Sequence, residues 1–133
     1  MEQRSSIGAA GVQEVDQFSL EKLLGSARKV VVVDFYLPGC PICQELESVL
    51  EELSREMAEE AAFTLVNAED NLDLALQYGV LVTPTIKIFC RGRFLGEIVG
   101  SADATIIRDT VRDAIRHRSC RPDEEGPRPD MNG

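Results

Sequence analysis

Cys40 and Cys43 stand two residues apart in the stretch D-F-Y-L-P-G-C-P-I-C, residues 34–43. Two thiols at this spacing can close a small disulfide ring and reopen it, so the pair can carry two electrons to or from a partner disulfide. Asp34 precedes them at the end of an unbroken run of valines, Val30 to Val33. An acid joined to so apolar a run needs either a polar partner or a chemical task.

The chemistry depends on where the pair sits. Pro41 suits the first turn of a helix, where its missing N–H would have had no intrahelical partner, and this makes Cys40 the cap. A helix N-terminus favours negative charge on the Cys40 sulfur. Cys43 then lies within one turn. Cys40 is accordingly the candidate nucleophile and Cys43 the candidate resolving thiol of a cycle that passes through a mixed disulfide. A structural zinc site is the competing reading, but it wants four ligands. Cys90, Cys120 and His117 would have to be recruited, and none of them forms a second Cys-x-x-Cys. A pair without chemistry is the other alternative. Placement after a strand and before a helix favours the redox reading, and no metal is expected.

The elements that would position this stretch alternate along the chain. Val12–Val15 reads as a short strand and Ser19–Leu24 as a helix capped by Ser19 and stopped by Gly25. Lys29–Tyr36 reads as a central strand covered on both faces. A long helix follows from Pro41 to Glu60, with Ile42, Leu46, Val49, Leu50, Leu53 and Met57 at helical spacing. Its glutamates, including Glu45, Glu47, Glu51, Glu52 and Glu59, read as the solvated side. Phe63–Asn67 is a strand and Asn71–Tyr78 a short helix. Thr85–Cys90 and Phe94–Val99 are strands joined by R-G-R, a hairpin signal. Asp103–Arg118 is the last helix. The order β-α-β-α-β-α-β-β-α predicts an α/β fold with a mixed central sheet between helix layers.

The 133 residues suffice for one domain. Residues 1–11 are expected to be a flexible segment, 12–118 the domain and 119–133 a disordered acidic, proline-rich tail. An apolar fraction of 44% with 28% charged residues is ordinary for a soluble protein. The formal net charge of -9 argues against nucleic-acid and anionic-membrane partners, which need clustered Lys and Arg. Residues 1–11 carry no apolar stretch of signal-peptide type, so a cytoplasmic protein with mostly reduced cysteines is expected.

Residues Val12 to about Arg118 resemble thioredoxin. V-V-V-D-F-Y-L-P-G-C-P-I-C resembles that family's active-site segment, and Y-G-V-L-V-T-P-T-I-K-I-F-C-R-G resembles its segment around a cis-proline, here Pro84. Gly92 and Gly100 also fall where the family has glycines. The chain also departs from the family pattern. The family usually has W-C-G-P-C, whereas this chain has Gly39 for the tryptophan and Pro41-Ile42 between the cysteines, a dipeptide closer to the glutaredoxin pattern. A family lysine on the second strand of its core is Leu65 here, and the long helix lacks the family's kinking proline.

The resemblance implies a thioredoxin fold and a protein-disulfide reductase. It places Asp34 beneath the disulfide, near Cys43, with its carboxyl held up by desolvation. There Asp34 would accept the Cys43 proton; a strand-end acid satisfied by backbone donors is the alternative. Gly39, Pro41, Ile42, Thr83 and Pro84 would form the client-binding surface, with the Thr83 backbone free to pair with an extended segment. Lys87 interrupts the strand T-I-K-I-F. Either it reaches Asp34 in place of the lysine lost at Leu65, as a modulator, or it snorkels to solvent. No dinucleotide fingerprint is present, so no cofactor is expected. Electrons would come from a separate thioredoxin reductase, flavin- or ferredoxin-dependent. The other partners would be disulfide-containing client proteins, met by a monomer. A glutathione-dependent, glutaredoxin-like enzyme and a non-catalytic redox-sensing module are the alternatives. Cys90 is expected as a half-buried packing residue, and Cys120 as a tail residue open to intermolecular pairing.

Overall fold

The computed structural model describes residues 11–117 and Cys120. The expected flexible segment 1–11 and tail 119–133 therefore lie outside the described residues, Gly11 and Cys120 excepted. In chain order the elements are β1 (Val12–Glu14), α1 (Gln17–Ser26), β2 (Val30–Tyr36), α2 (Pro41–Glu56), β3 (Ala61–Asn67), α3 (Leu72–Gln77), β4 (Thr85–Cys90), β5 (Arg93–Val99) and α4 (Ala104–His117). They follow the expected alternation. The sheet order is β1-β3-β2-β4-β5. β1, β3 and β2 run parallel, while β4 is antiparallel to both β2 and β5.

The valine run is buried throughout because successive side chains point to opposite faces and both faces are covered. Val30 and Val32 pack with Leu46, Leu50 and Leu53 of α2 and Ile107 and Val111 of α4. Val31, Val33 and Phe35 pack with Leu20 and Leu24 of α1 and Leu74 and Ala75 of α3. β2 is thus the middle layer of a three-layer stack, and anything at its C-terminal end is held rigidly.

Local signals set most boundaries to within a residue, and the larger differences are at α1 and at the junction of α2 and β3. Asp16, not Ser19, caps α1; Ser19 is its third residue, and the two exchange side chain-to-backbone bonds in a capping box. The helix runs through Gly25 to Ser26. α2 stops at Glu56 rather than Glu60, and β3 starts two residues early at Ala61, because Ala61 already pairs with Val30 in the parallel ladder. The R-G-R hairpin has positive φ at both Arg91 (52°) and Gly92 (82°), the requirement of a type I′ turn.

Cys90 and Cys120 are joined in a disulfide, with Cα atoms 6.1 Å apart and a sequence separation of 30. This corrects three expectations. Cys90 is fully buried, not half-buried, and Cys120 is a core residue packed with the α2–α4 layer. The pair is intramolecular and oxidised. The reason is tertiary: β4 ends beside the segment that leaves α4, where the Cys120 N–H donates to the Ile115 carbonyl at 3.2 Å. That end of β4 is the one remote from Pro84.

Closing a loop of this length restricts the unfolded chain by roughly 3–4 kcal/mol. In a Cys40→Ser background, which isolates this bridge, reduction with dithiothreitol is expected to lower stability by about that amount. Urea unfolding with and without reductant checks it, and identical midpoints would mean that the bridge is absent in solution.

Candidate functional site

The turn after β2 delivers the first thiol. Leu37, Pro38, Gly39 and Cys40 form a tight turn in which the Cys40 N–H donates to the Leu37 carbonyl at 3.3 Å. Gly39 has φ 82°, the left-handed value that the third residue of a type II turn needs, following a proline at the second. A Cβ at Gly39 would meet nothing within 4 Å, so conformation and not space favours glycine there.

Cys40 is the N-cap of α2, with Pro41 in the first turn. Its Sγ accepts the backbone N–H of Cys43 at 3.2 Å. Cys40 is partly exposed, whereas Cys43 is 2% exposed, and both are free thiols. Burial, first of all, pushes the Cys43 thiol up; the hydrogen bond shared with the Cys40 sulfur adds to this, while the Leu37 backbone and the Thr83 hydroxyl act the other way. Thr83 is therefore beside the dithiol, and the Thr83–Pro84 peptide is cis. Gly39, Pro41 and Ile42 are exposed around Cys40, Thr83 is half-buried and Pro84 is buried. Next to Thr83 a groove of about 400 Å³ is lined by Leu37, Leu72, Val80, Leu81 and Val82.

Asp34 is completely buried, and neither carboxyl oxygen has a hydrogen-bond partner among the described residues. It shares the sheet face of Val32, on which the buried stripe of α2, Cys43–Leu46–Leu50–Leu53, is laid. Desolvation pushes the carboxyl up to about 7, with a smaller push from Glu47. The alternative of an acid satisfied by backbone donors does not hold.

The expected Lys87–Asp34 pairing is corrected. The antiparallel register sets Asp34 opposite Ile86 and Val33 opposite Lys87, so the two side chains leave opposite faces of the sheet. The Lys87 ammonium pairs instead with Glu97 across the β4–β5 ladder and lies 5.3 Å from the centre of the Phe94 ring. Nor does it snorkel freely, since the residue is buried. Glu47 is the charged residue that the sequence reading passed over by grouping it with the solvated glutamates. It is half-buried and four residues after Cys43, a spacing that puts both on one side of a helix. Cys90 and Cys120 are spent on each other, and among the described residues no group of three or more His, Cys, Asp or Glu is placed to hold a metal ion. No helix among the described residues is long and apolar enough to cross a membrane.

A three-layer α/β sheet with a Cys-x-x-Cys pair capping the helix after its central strand defines a thioredoxin-fold dithiol protein. Comparisons with known proteins make the assignment narrower. The thioredoxin family profile matches residues 11–113. Thioredoxin-2, mitochondrial, of Schizosaccharomyces pombe is 40% identical over 95 residues, 71% of this chain and 71% of that protein. Thioredoxin of Griffithsia pacifica is 27% identical over 104 residues, covering 78% and 94% of the two chains. A solved mutant thioredoxin from Halobacterium salinarum NRC-1 superposes with a TM-score of 0.73 at 30% identity, over 88% of this chain and 95% of that one. The chain belongs to the thioredoxin family of thiol-disulfide oxidoreductases.

Asp34 ties stability to pH. Its carboxyl is raised in the folded state, from 3.8 to about 7. The unfolded chain therefore ionises first, and the fold loses stability from the unfolded value upward until the folded group has ionised too. The full loss is at most about 4 kcal/mol. Asp34→Asn is expected to gain stability over wild type as pH rises from mildly acidic to neutral, with the difference level above that. Unfolding midpoints across this range check it; a difference independent of pH would rule out the raised carboxyl.

Proposed function

We propose that this chain is a protein-disulfide reductase in which Cys40 is the nucleophile, Cys43 the resolving thiol and Asp34 the proton acceptor. The observation that carries the reading is the asymmetry of the pair: Cys40 partly exposed at a helix cap, Cys43 buried on the face that holds an unpartnered acid. The Cys40 thiolate attacks one sulfur of a client disulfide, and the other client sulfur leaves as a thiolate. Cys43 gives its proton to Asp34, directly or through a water, and attacks the Cys40 sulfur of the mixed disulfide. The second client thiolate leaves and is protonated. The client gains two electrons and Cys40–Cys43 becomes a disulfide.

The client surface would be Gly39, Pro41, Ile42, Thr83 and Pro84, with the apolar groove beside Thr83 extending it. Ile42 and Val82 are about half exposed and Leu81 is 87% exposed, which suits a surface covered only while a client is bound. The chain would meet its clients as a monomer. A separate reductase, flavin- or ferredoxin-dependent, would restore the dithiol. Pro41-Ile42 between the cysteines supports a second reading, in which glutathione is the electron donor.

Reduction of a model protein disulfide, driven in turn by a thioredoxin reductase and by glutathione, separates these readings. Turnover with the reductase alone supports the first, turnover with glutathione the second, and none with either points to a binding module. Cys40→Ser is expected to abolish turnover. Cys43→Ser is expected to accumulate a mixed disulfide detectable by mass, and Asp34→Asn to slow resolution by roughly 100-fold. Alkylation of Cys43 ahead of Cys40 would reverse the roles.

A further inference from the structure

The sheet row that carries Asp34 holds a second acid and no base. Glu14, Leu65, Asp34 and Ile86 are in register across β1, β3, β2 and β4, so their side chains share one face. Leu65 occupies the place directly beside Asp34. Tyr36, two residues further along β2 and on the same face, donates its hydroxyl to Glu14 Oε2 at 2.7 Å. α2 lies over this face and contributes Cys43, with Glu47 half-buried one turn later. Ile98 of β5 continues the row beyond Ile86.

The charged group that acts on Asp34 is thus Glu47, while Glu14 shares its sheet row, Tyr36 its face, and Cys43 comes from the helix laid over that face. Among the described residues, the cations nearest α2 have other partners: Arg55 pairs with Glu51 on the helix itself, 3.8 Å away. Arg108 of α4 pairs with Glu56 at the far end of α2, and Arg112 with Glu60 in the turn just beyond it. Lys29 donates to the Ala58 carbonyl, and Lys87 is on the opposite face with Glu97.

We propose that Glu47 is a positioning residue of the resolving step: its carboxylate, entering from α2 over the face that carries Asp34, sets how readily Asp34 takes the Cys43 proton. This rests on the dithiol reading given above. Proton transfer is most efficient when donor and acceptor are closely matched. Burial raises the Cys43 thiol, and an acceptor left at an ordinary carboxylate value would be poorly matched to it. Burial raises Asp34, and the like charge of Glu47 raises it further. The influence runs in that direction because Glu47 is only half-buried, whereas Asp34 is wholly enclosed. Glu47 is itself held up by burial, Glu51 and Glu14. A lysine at the Leu65 position would act on Asp34 with the opposite sign.

The test follows the Asp34 carboxyl by carbon NMR through a pH titration of the reduced full chain. It also follows the pH profile of release from a preformed mixed disulfide. Glu47→Gln is expected to move the Asp34 midpoint down by about one pH unit, Glu47→Lys further, and Glu47→Asp to restore most of the wild-type value. The release profile should move with it, at unchanged circular dichroism. An Asp34 midpoint equal in wild type, Glu47→Gln and Glu47→Lys would overturn the proposal. A midpoint that moves while the release profile stays fixed would overturn it as well. Failure of the dithiol reading is told apart, because then Cys43→Ser forms no mixed disulfide at all.

Discussion

An unpartnered carboxyl inside the central strand is the constraint around which this protein is arranged. Asp34 has no exposed surface and no hydrogen-bond partner among the described residues. Ionising it there opposes folding by up to about 4 kcal/mol. The strand that carries it supplies the offset. Val30 to Val33 and Phe35 are buried on two faces, and at roughly 1.5–3 kcal/mol each they contribute on the order of 10 kcal/mol. The acid is tolerated because it ends a stretch whose burial exceeds its cost.

The two ends of the sheet divide the work. At one end β2 leaves through a glycine turn into the cap of α2, and Pro84 enters β4, so the thiol pair and the cis peptide lie on strands that neighbour each other. At the other end β4 finishes at Cys90, whose bridge to Cys120 ties the end of α4 to the core. The two cysteine pairs therefore differ in exposure. Cys40 meets solvent, whereas the bridged pair is buried beneath the helix layer. Partner thiols can reach the first pair far more readily than the second.

Charge follows the same division by face. The face under α2 holds Asp34, Glu47 and Glu14, the last bonded to the Tyr36 hydroxyl, while the one buried lysine among the described residues is on the face under α1 and α3. Lys87 is tolerated there by Glu97 and the Phe94 ring. A single-residue alternation in β4 decides this, since a lysine one position earlier or later would have faced Asp34.

Much of this was legible in the chain alone. The valine run, the i, i+3, i+4 pattern of α2, the Pro41 cap signal and the R-G-R turn depend on neighbours close in sequence, so the order of elements and the position of the dithiol followed from them. The particular pairings did not. Whether Lys87 reaches Asp34 depends on the β2–β4 register, which local pattern does not state. Cys120 looked like part of a polar tail because its partner is 30 residues away and only the path of the chain after α4 brings them together. Glu47 looked like one of many solvated glutamates because helical periodicity gives a side, not the residue that waits across from it. Local preference was enough to lay down the elements and the reactive groups they carry. Which charges and which thiols meet was left to the packed fold, because those contacts join segments that no short-range preference couples.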